Sequence, residues 1–145
     1  MLKAYAAAVR AKDADGFLAL YADDARNFDL WNEWSYDGKD ALRAMVTEWF
    51  GSLGDDEEVL VEWDDVRAQT GEDVGALSAF LTYSAVSPDG EKLRSMNNRL
   101  TWVLRQGADG SWTIVHEHTS APAGEGGKVQ LSRLRWASGT NSRSS

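Results

Sequence analysis

Four strand-like stretches crowd the second half of the chain: Val59 to Ala68, Val74 to Val86, Leu93 to Arg105 and Trp112 to Thr119. Each is rich in β-branched and aromatic residues. The turns Ser87-Pro88-Asp89-Gly90 and Gly107-Ala108-Asp109-Gly110 separate the last three. Strands joined this closely pair antiparallel, so the simplest sheet is a meander. The first third has a different period. Leu2, Tyr5, Val9 and Lys12 recur at helical spacing, and the break Asp13-Ala14-Asp15-Gly16 supplies Asp side chains that can cap a second helix through Phe17, Leu18, Leu20 and Tyr21. Residues Ala25 to Trp31 read as a short strand. Tyr36 to Asp40 reads as a turn whose Asp40 caps a helix from Ala41 to about Leu53, with Leu42, Met45, Val46, Trp49 and Phe50 as its apolar face. Helices first and strands last predict an α+β domain with the helices on one face of a curved sheet.

A length of 145 residues, 43% of them hydrophobic and with seven Trp, suits one domain with a real core. The net charge of −8 argues against a nucleic-acid or anionic-membrane partner, because such surfaces need a basic stripe to displace counterions. It favours neutral or cationic ligands. No apolar run long enough to span a bilayer is visible, and Met1-Leu2-Lys3-Ala4-Tyr5 does not open a secretion signal, so a cytoplasmic location is expected. With no Cys, disulfides and thiolate chemistry are excluded. Residues 123–145 differ in composition. Gly124, Gly126 and Gly127 form a linker, and Lys128, Arg133, Arg135 and Arg143 stand against only Glu125. A solvated, flexible tail is expected, the alternative being docking onto the acidic body through Leu131, Leu134 and Trp136.

The last strand carries the densest chemistry, running Trp112-Thr113-Ile114-Val115-His116-Glu117-His118-Thr119-Ser120 before Pro122. His116 and His118, two apart on a strand, point to one face and can chelate a metal if a third ligand converges. No third ligand is apparent, so no metal is expected, and hydrogen bonding or dimer contacts account better for the pair. On the preceding strand Asn97, Arg99 and Thr101 share one face, opposite Asn98, Leu100 and Trp102. An inward Arg99 would clamp a carboxylate or an enolate with its planar fork. The segment from Asp29 to Gly38 is an aromatic loop in which Trp31, Trp34 and Tyr36 can stack on a flat ligand, cover the core or meet a partner subunit. Tyr5 sits on an apolar helix face and can be a core phenol. Asp29 can equally answer Arg26 or a backbone cap.

The segment Tyr21-Ala22-Asp23-Asp24-Ala25 after two short helices, the helix start Gly38-Lys39-Asp40-Ala41-Leu42, and Asp109-Gly110-Ser111-Trp112 leading into His116 to Ser120 resemble the nuclear transport factor 2-like superfamily. The likeness is to its ketosteroid isomerase-like and SnoaL-like branch, over residues 1–122. The Trp112 to Pro122 pattern is also similar to the association domain of calmodulin-dependent protein kinases. The resemblance implies a cone-shaped, cystatin-like fold of three N-terminal helices on a curved, mostly antiparallel sheet, with a pocket between them and a homodimer through the sheet face. It places the family's general base on Asp29 and its phenol donor on Tyr5. Thr101 stands where ketosteroid isomerases keep a protonated carboxylic acid, and the same register turns Thr119, and by alternation Glu117, toward the pocket. The expected activity is cofactor-independent proton abstraction next to a carbonyl, as in isomerisation or cyclisation of a small hydrophobic or polycyclic ligand. Trp31, Tyr36, Asn97, Arg99, Thr101, Glu117, His118 and Thr119 would bind substrate. The alternatives are a noncatalytic binding or oligomerisation module and a hydrolase or dehydratase using Glu117 with His118.

Overall fold

The computed structural model describes residues 1–133. Two short helices open the chain, α1 (Leu2–Ala11) and α2 (Ala14–Leu18). Tyr5, Ala8 and Val9 form the buried stripe of α1. Its end is fixed by Lys12, which takes the left-handed conformation and sends Nζ to the carbonyl oxygen of Gly54 at 2.8 Å. Asp13 then caps α2 by accepting a hydrogen bond from the Gly16 amide at 3.0 Å.

The second helix ends sooner than expected. Leu18 closes it, and Tyr21 begins a strand, β1 (Tyr21–Phe28). Tyr21 is 1% exposed and its hydroxyl is bound to Glu117, so a long-range contact overrides the local helical spacing. A two-residue strand, β2 (Tyr36–Asp37), pairs antiparallel with β1 and precedes α3 (Lys39–Ser52). That helix starts at Gly38, with φ at 86°, and Asp40 lies within its first turn rather than capping it. Leu42, Val46 and Phe50 are its buried stripe, each worth about 1.5–3 kcal/mol against exposure.

Four long strands follow: β3 (Glu58–Thr70), β4 (Val74–Val86), β5 (Lys92–Gln106) and β6 (Trp112–Ser120). They form the expected antiparallel meander. The chain's early strand joins it in parallel, β1 beside β6, giving a six-stranded sheet in the order β2-β1-β6-β5-β4-β3. The three helices cover its inner face, where Tyr5, Phe17, Tyr21, Leu81, Leu100 and Trp102 form one core. Among the described residues no helix is long and apolar enough to cross a membrane.

An irregularity in the β5–β6 pairing sets the parity of the site. Leu104 pairs with Ile114 but Val103 with His116, so Val115 is an extra residue. Ile114 faces the core, and after the bulge Glu117 and Thr119 face it too, while His118 is exposed. Beyond β6 the chain turns back and runs along β5. The Asn97 amide donates to the Leu131 carbonyl at 2.7 Å, the Arg133 amide donates to Asn97 Oδ1 at 2.8 Å, and the Arg133 guanidinium reaches Asp64 at 2.8 Å and lies 3.7 Å from the Phe80 ring centre. Leu131 and Arg133 therefore rest on the acidic body, while residues 128–130 pair with 122–124. The other two suggested anchors, Leu134 and Trp136, lie outside the described residues.

Candidate functional site

Between α3, the 29–36 loop and the inner sheet face lies a cavity of about 480 Å³. Its walls are largely aromatic and aliphatic: Phe17 and Tyr5 at depth, Trp49 and Met45 from α3, Tyr36 and Trp31 from the loop. Asp29, Tyr83, Asn98, Glu117 and Thr119 are among its polar groups, with Glu48 and Arg94 adding further charge. An apolar cleft with a few converging polar side chains is the usual form of a small-molecule site.

Asp29 follows directly on β1, at the cavity wall. Thr119 on the adjoining strand donates to Asp29 Oδ1 at 3.0 Å and accepts from the Leu30 amide at 3.1 Å. The Trp31 amide lies 3.4 Å from Oδ2. The carboxylate is thus fixed through one oxygen, and the other makes only this long contact.

Glu117 lies 4% exposed in the cavity floor. Its Oε1 accepts from the Tyr21 hydroxyl at 2.6 Å and from Trp102 Nε1 at 2.8 Å, and its Oε2 accepts from Asn27 Nδ2 at 3.0 Å. Burial, helped slightly by the Asp29 charge and opposed by the bonds from Tyr21 and Trp102, raises this carboxyl to about 7.

The third element is a phenol pair. The hydroxyls of Tyr5 and Tyr83 are 2.8 Å apart. Tyr5 is 2% exposed and packed against Phe17, Trp63 and Trp102, whereas Tyr83 is half-buried. Burial, Tyr83 and Glu117 hold the Tyr5 phenol well above its ordinary value. Tyr83 is also raised by burial and by Glu117, but hydrogen bonds from Tyr5 and Asn98 draw it partly back. Either hydroxyl can be the donor within the pair, and Tyr83, which is half-buried where Tyr5 is buried, is the member nearer the open side of the cavity.

The structure brings together Asp29, Tyr5, Trp31, Tyr36, Glu117 and Thr119. It separates four other expected ligand contacts from them. Arg99, Asn97 and Thr101 lie on the outer sheet face, because Asn98, Leu100 and Trp102, which alternate with them, are buried. Arg99 donates to Ser120 Oγ at 3.0 Å, and Asn97 donates to Thr82 Oγ1 at 2.7 Å. His118 sits across from Thr101 on that same outer face, so it cannot act with Glu117, the next residue along the strand. Thr101 and His118 are both exposed. His116 Nδ1 lies 2.8 Å from the Arg26 carbonyl oxygen, and both imidazoles meet Phe28 edge-on. Among the described residues no three His, Cys, Asp or Glu side chains converge as metal ligands. Of the loop aromatics, Trp34 is 96% exposed and does not enter the cavity.

Tyr83, Asn98, Tyr21 and Asn27 were not foreseen. Tyr83 and Asn98 were legible in principle, since Tyr83 alternates with Leu81 and Ala85 and Asn98 with Leu100 and Trp102. Tyr21 was hidden by the late start given to β1, whereas Asn27 lay inside the expected strand, alternating with Ala25 and Asp29.

The fold agrees with the comparisons to known proteins. The family model described as SnoaL-like domain matches residues 1–124. The chain belongs to the SnoaL-like domain family. Several solved structures share the fold of this SnoaL-like protein. An NTF2-like protein of unknown function from Pseudomonas putida KT2440 is 25% identical, with a TM-score of 0.78 over 90% of this chain and 88% of that one. A ketosteroid isomerase-like protein from Erwinia carotovora atroseptica SCRI1043 is 24% identical, with a TM-score of 0.64 over 82% and 88%. A putative calcium/calmodulin dependent protein kinase II association domain from Xanthomonas campestris is 18% identical, with a TM-score of 0.66 over 83% and 82%. No curated protein matches the sequence.

Proposed function

We propose that this SnoaL-like protein is a cofactor-independent acid–base enzyme that moves a proton next to a carbonyl, in an isomerisation or a cyclisation. The observation that carries this is the presence of a Thr119-anchored Asp29 and the Tyr5–Tyr83 phenol pair on the wall of one aromatic cavity. Asp29 Oδ2 takes the proton from the carbon beside the carbonyl. The C–H electron pair moves to the carbonyl oxygen, and the resulting enolate receives the Tyr83 hydrogen bond, reinforced by Tyr5 behind it. Asp29 then returns the proton to another carbon, which isomerises the substrate, or the enolate carbon attacks a second carbonyl, whose oxygen takes the electron pair and then the proton from Asp29, which cyclises it.

The test is exchange of α-protons for deuterium in simple aryl ketones in D2O, followed by NMR. The wild-type protein is expected to catalyse exchange and Asp29→Asn to lose it while keeping the fold. Binding of ketones with no exchange above background would replace the enzyme with a noncatalytic binding module.

A further inference from the structure

The polar lining of the cavity is one-sided. Its charged members are Asp29, Glu48, Glu117 and Arg94. Arg94 is already held by Glu57, with bonds of 2.8 and 3.3 Å to the two carboxylate oxygens. Among the described residues the lining therefore offers three carboxyl groups and no unengaged cation. Asn98, 6% exposed, adds a buried Oδ1 with no hydrogen-bond partner. Acceptors lacking donors leave unfilled bonds that a ligand bearing N–H or a positive charge can fill.

The walls around these acceptors are aromatic, and Trp49 meets Tyr83 edge to face at 5.8 Å. Ring faces carry negative potential and attract cations. Burial is what chiefly raises Tyr36, Tyr83 and Glu117, and the Asp29 charge adds to it in each case. A developing enolate gains no offset from an arginine or lysine of the cavity, so a positive charge on the substrate itself is the missing counterpart.

We propose that the ligand of this cavity is an organic cation, a carbonyl compound carrying a protonated or quaternary nitrogen that sits among the aromatic faces and the carboxylates of Asp29 and Glu48. The carbonyl half rests on the acid–base function above; the cation preference is a property of binding alone.

The matched probes are 4-acetyl-N,N,N-trimethylanilinium and its neutral isostere 4-tert-butylacetophenone, with affinities measured by calorimetry on the full chain. The cation is expected to bind about tenfold tighter or more. That ratio is expected to shrink in Asp29→Asn and in Glu48→Gln, the latter an exposed helix position where the change does not threaten the fold. Equal affinities, tighter binding of the neutral probe, no measurable binding of either, or a ratio unmoved by both substitutions would overturn the proposal. Exchange of the acetyl protons of the neutral isostere is followed in the same samples. Exchange by the wild type but not by Asp29→Asn keeps the acid–base function standing whichever way the affinity ratio falls.

Discussion

Replacing Glu117 with Gln is expected to make the protein more stable at pH 8 while changing little at pH 5. The carboxyl has an ordinary value of 4.5 and is raised to about 7 in the fold, chiefly because burial strips water from the charged form. The gap, at roughly 1.4 kcal/mol per tenfold, is worth about 3 kcal/mol. Between pH 4.5 and about 7 the native state keeps a proton that the unfolded chain has lost. The unfolded state therefore binds fewer protons, and the stability of the wild type falls as pH rises through that window and levels off above it. The variant lacks this slope. Gln keeps an acceptor for Tyr21 and Trp102, and its amide can donate to Asn27 Oδ1, which is buried without a partner, once the Asn27 amide turns over. Urea unfolding followed by tryptophan fluorescence at pH 5, 6, 7 and 8 measures both curves. The difference between variant and wild type should change by about 3 kcal/mol across the range. Parallel curves would refute the claim that the fold desolvates this carboxyl.

Asp29→Asn is expected to lower α-proton exchange by about 10²–10⁴-fold, whereas Arg99→Ala, on the outer sheet face, leaves it unchanged; NMR exchange rates of the two variants check both. Tyr83→Phe should cut the exchange rate and also cost about 1–3 kcal/mol of stability, because the Tyr5 hydroxyl loses its partner in a buried setting; kinetics and urea unfolding separate the two effects. Arg133→Ala should leave global stability within about 1 kcal/mol, since its ion pair with Asp64 is exposed, yet speed hydrogen exchange of the Asn97 amide, which bonds the returning chain.

Much of the fold was legible from the sequence because it rests on period. Helical spacing at Leu2, Tyr5 and Val9, the Asp13 cap, and alternation in three long strands each depend on neighbours within a few residues. Alternation even stated which residues share a face, with Asn97, Arg99 and Thr101 opposite Asn98, Leu100 and Trp102. It could not state which of the two faces meets the helices. That choice follows from burying Trp102 at 0% exposure against Tyr5 and Trp63, contacts far apart in the chain.

The site divides along the same line. The sequence by itself determined the α+β order and the acidic balance, and only through the family resemblance did it point to a phenol, an aspartate and a glutamate at Tyr5, Asp29 and Glu117. Only the tertiary structure chose among the other polar residues. One extra residue at Val115 turns Glu117 and Thr119 inward and leaves His118 outside, and the parallel pairing of β1 with β6 brings Tyr21 and Asn27 onto Glu117. The physical reason is that a strand's period of two is local, whereas its phase relative to the core is fixed by bulges and by long-range packing.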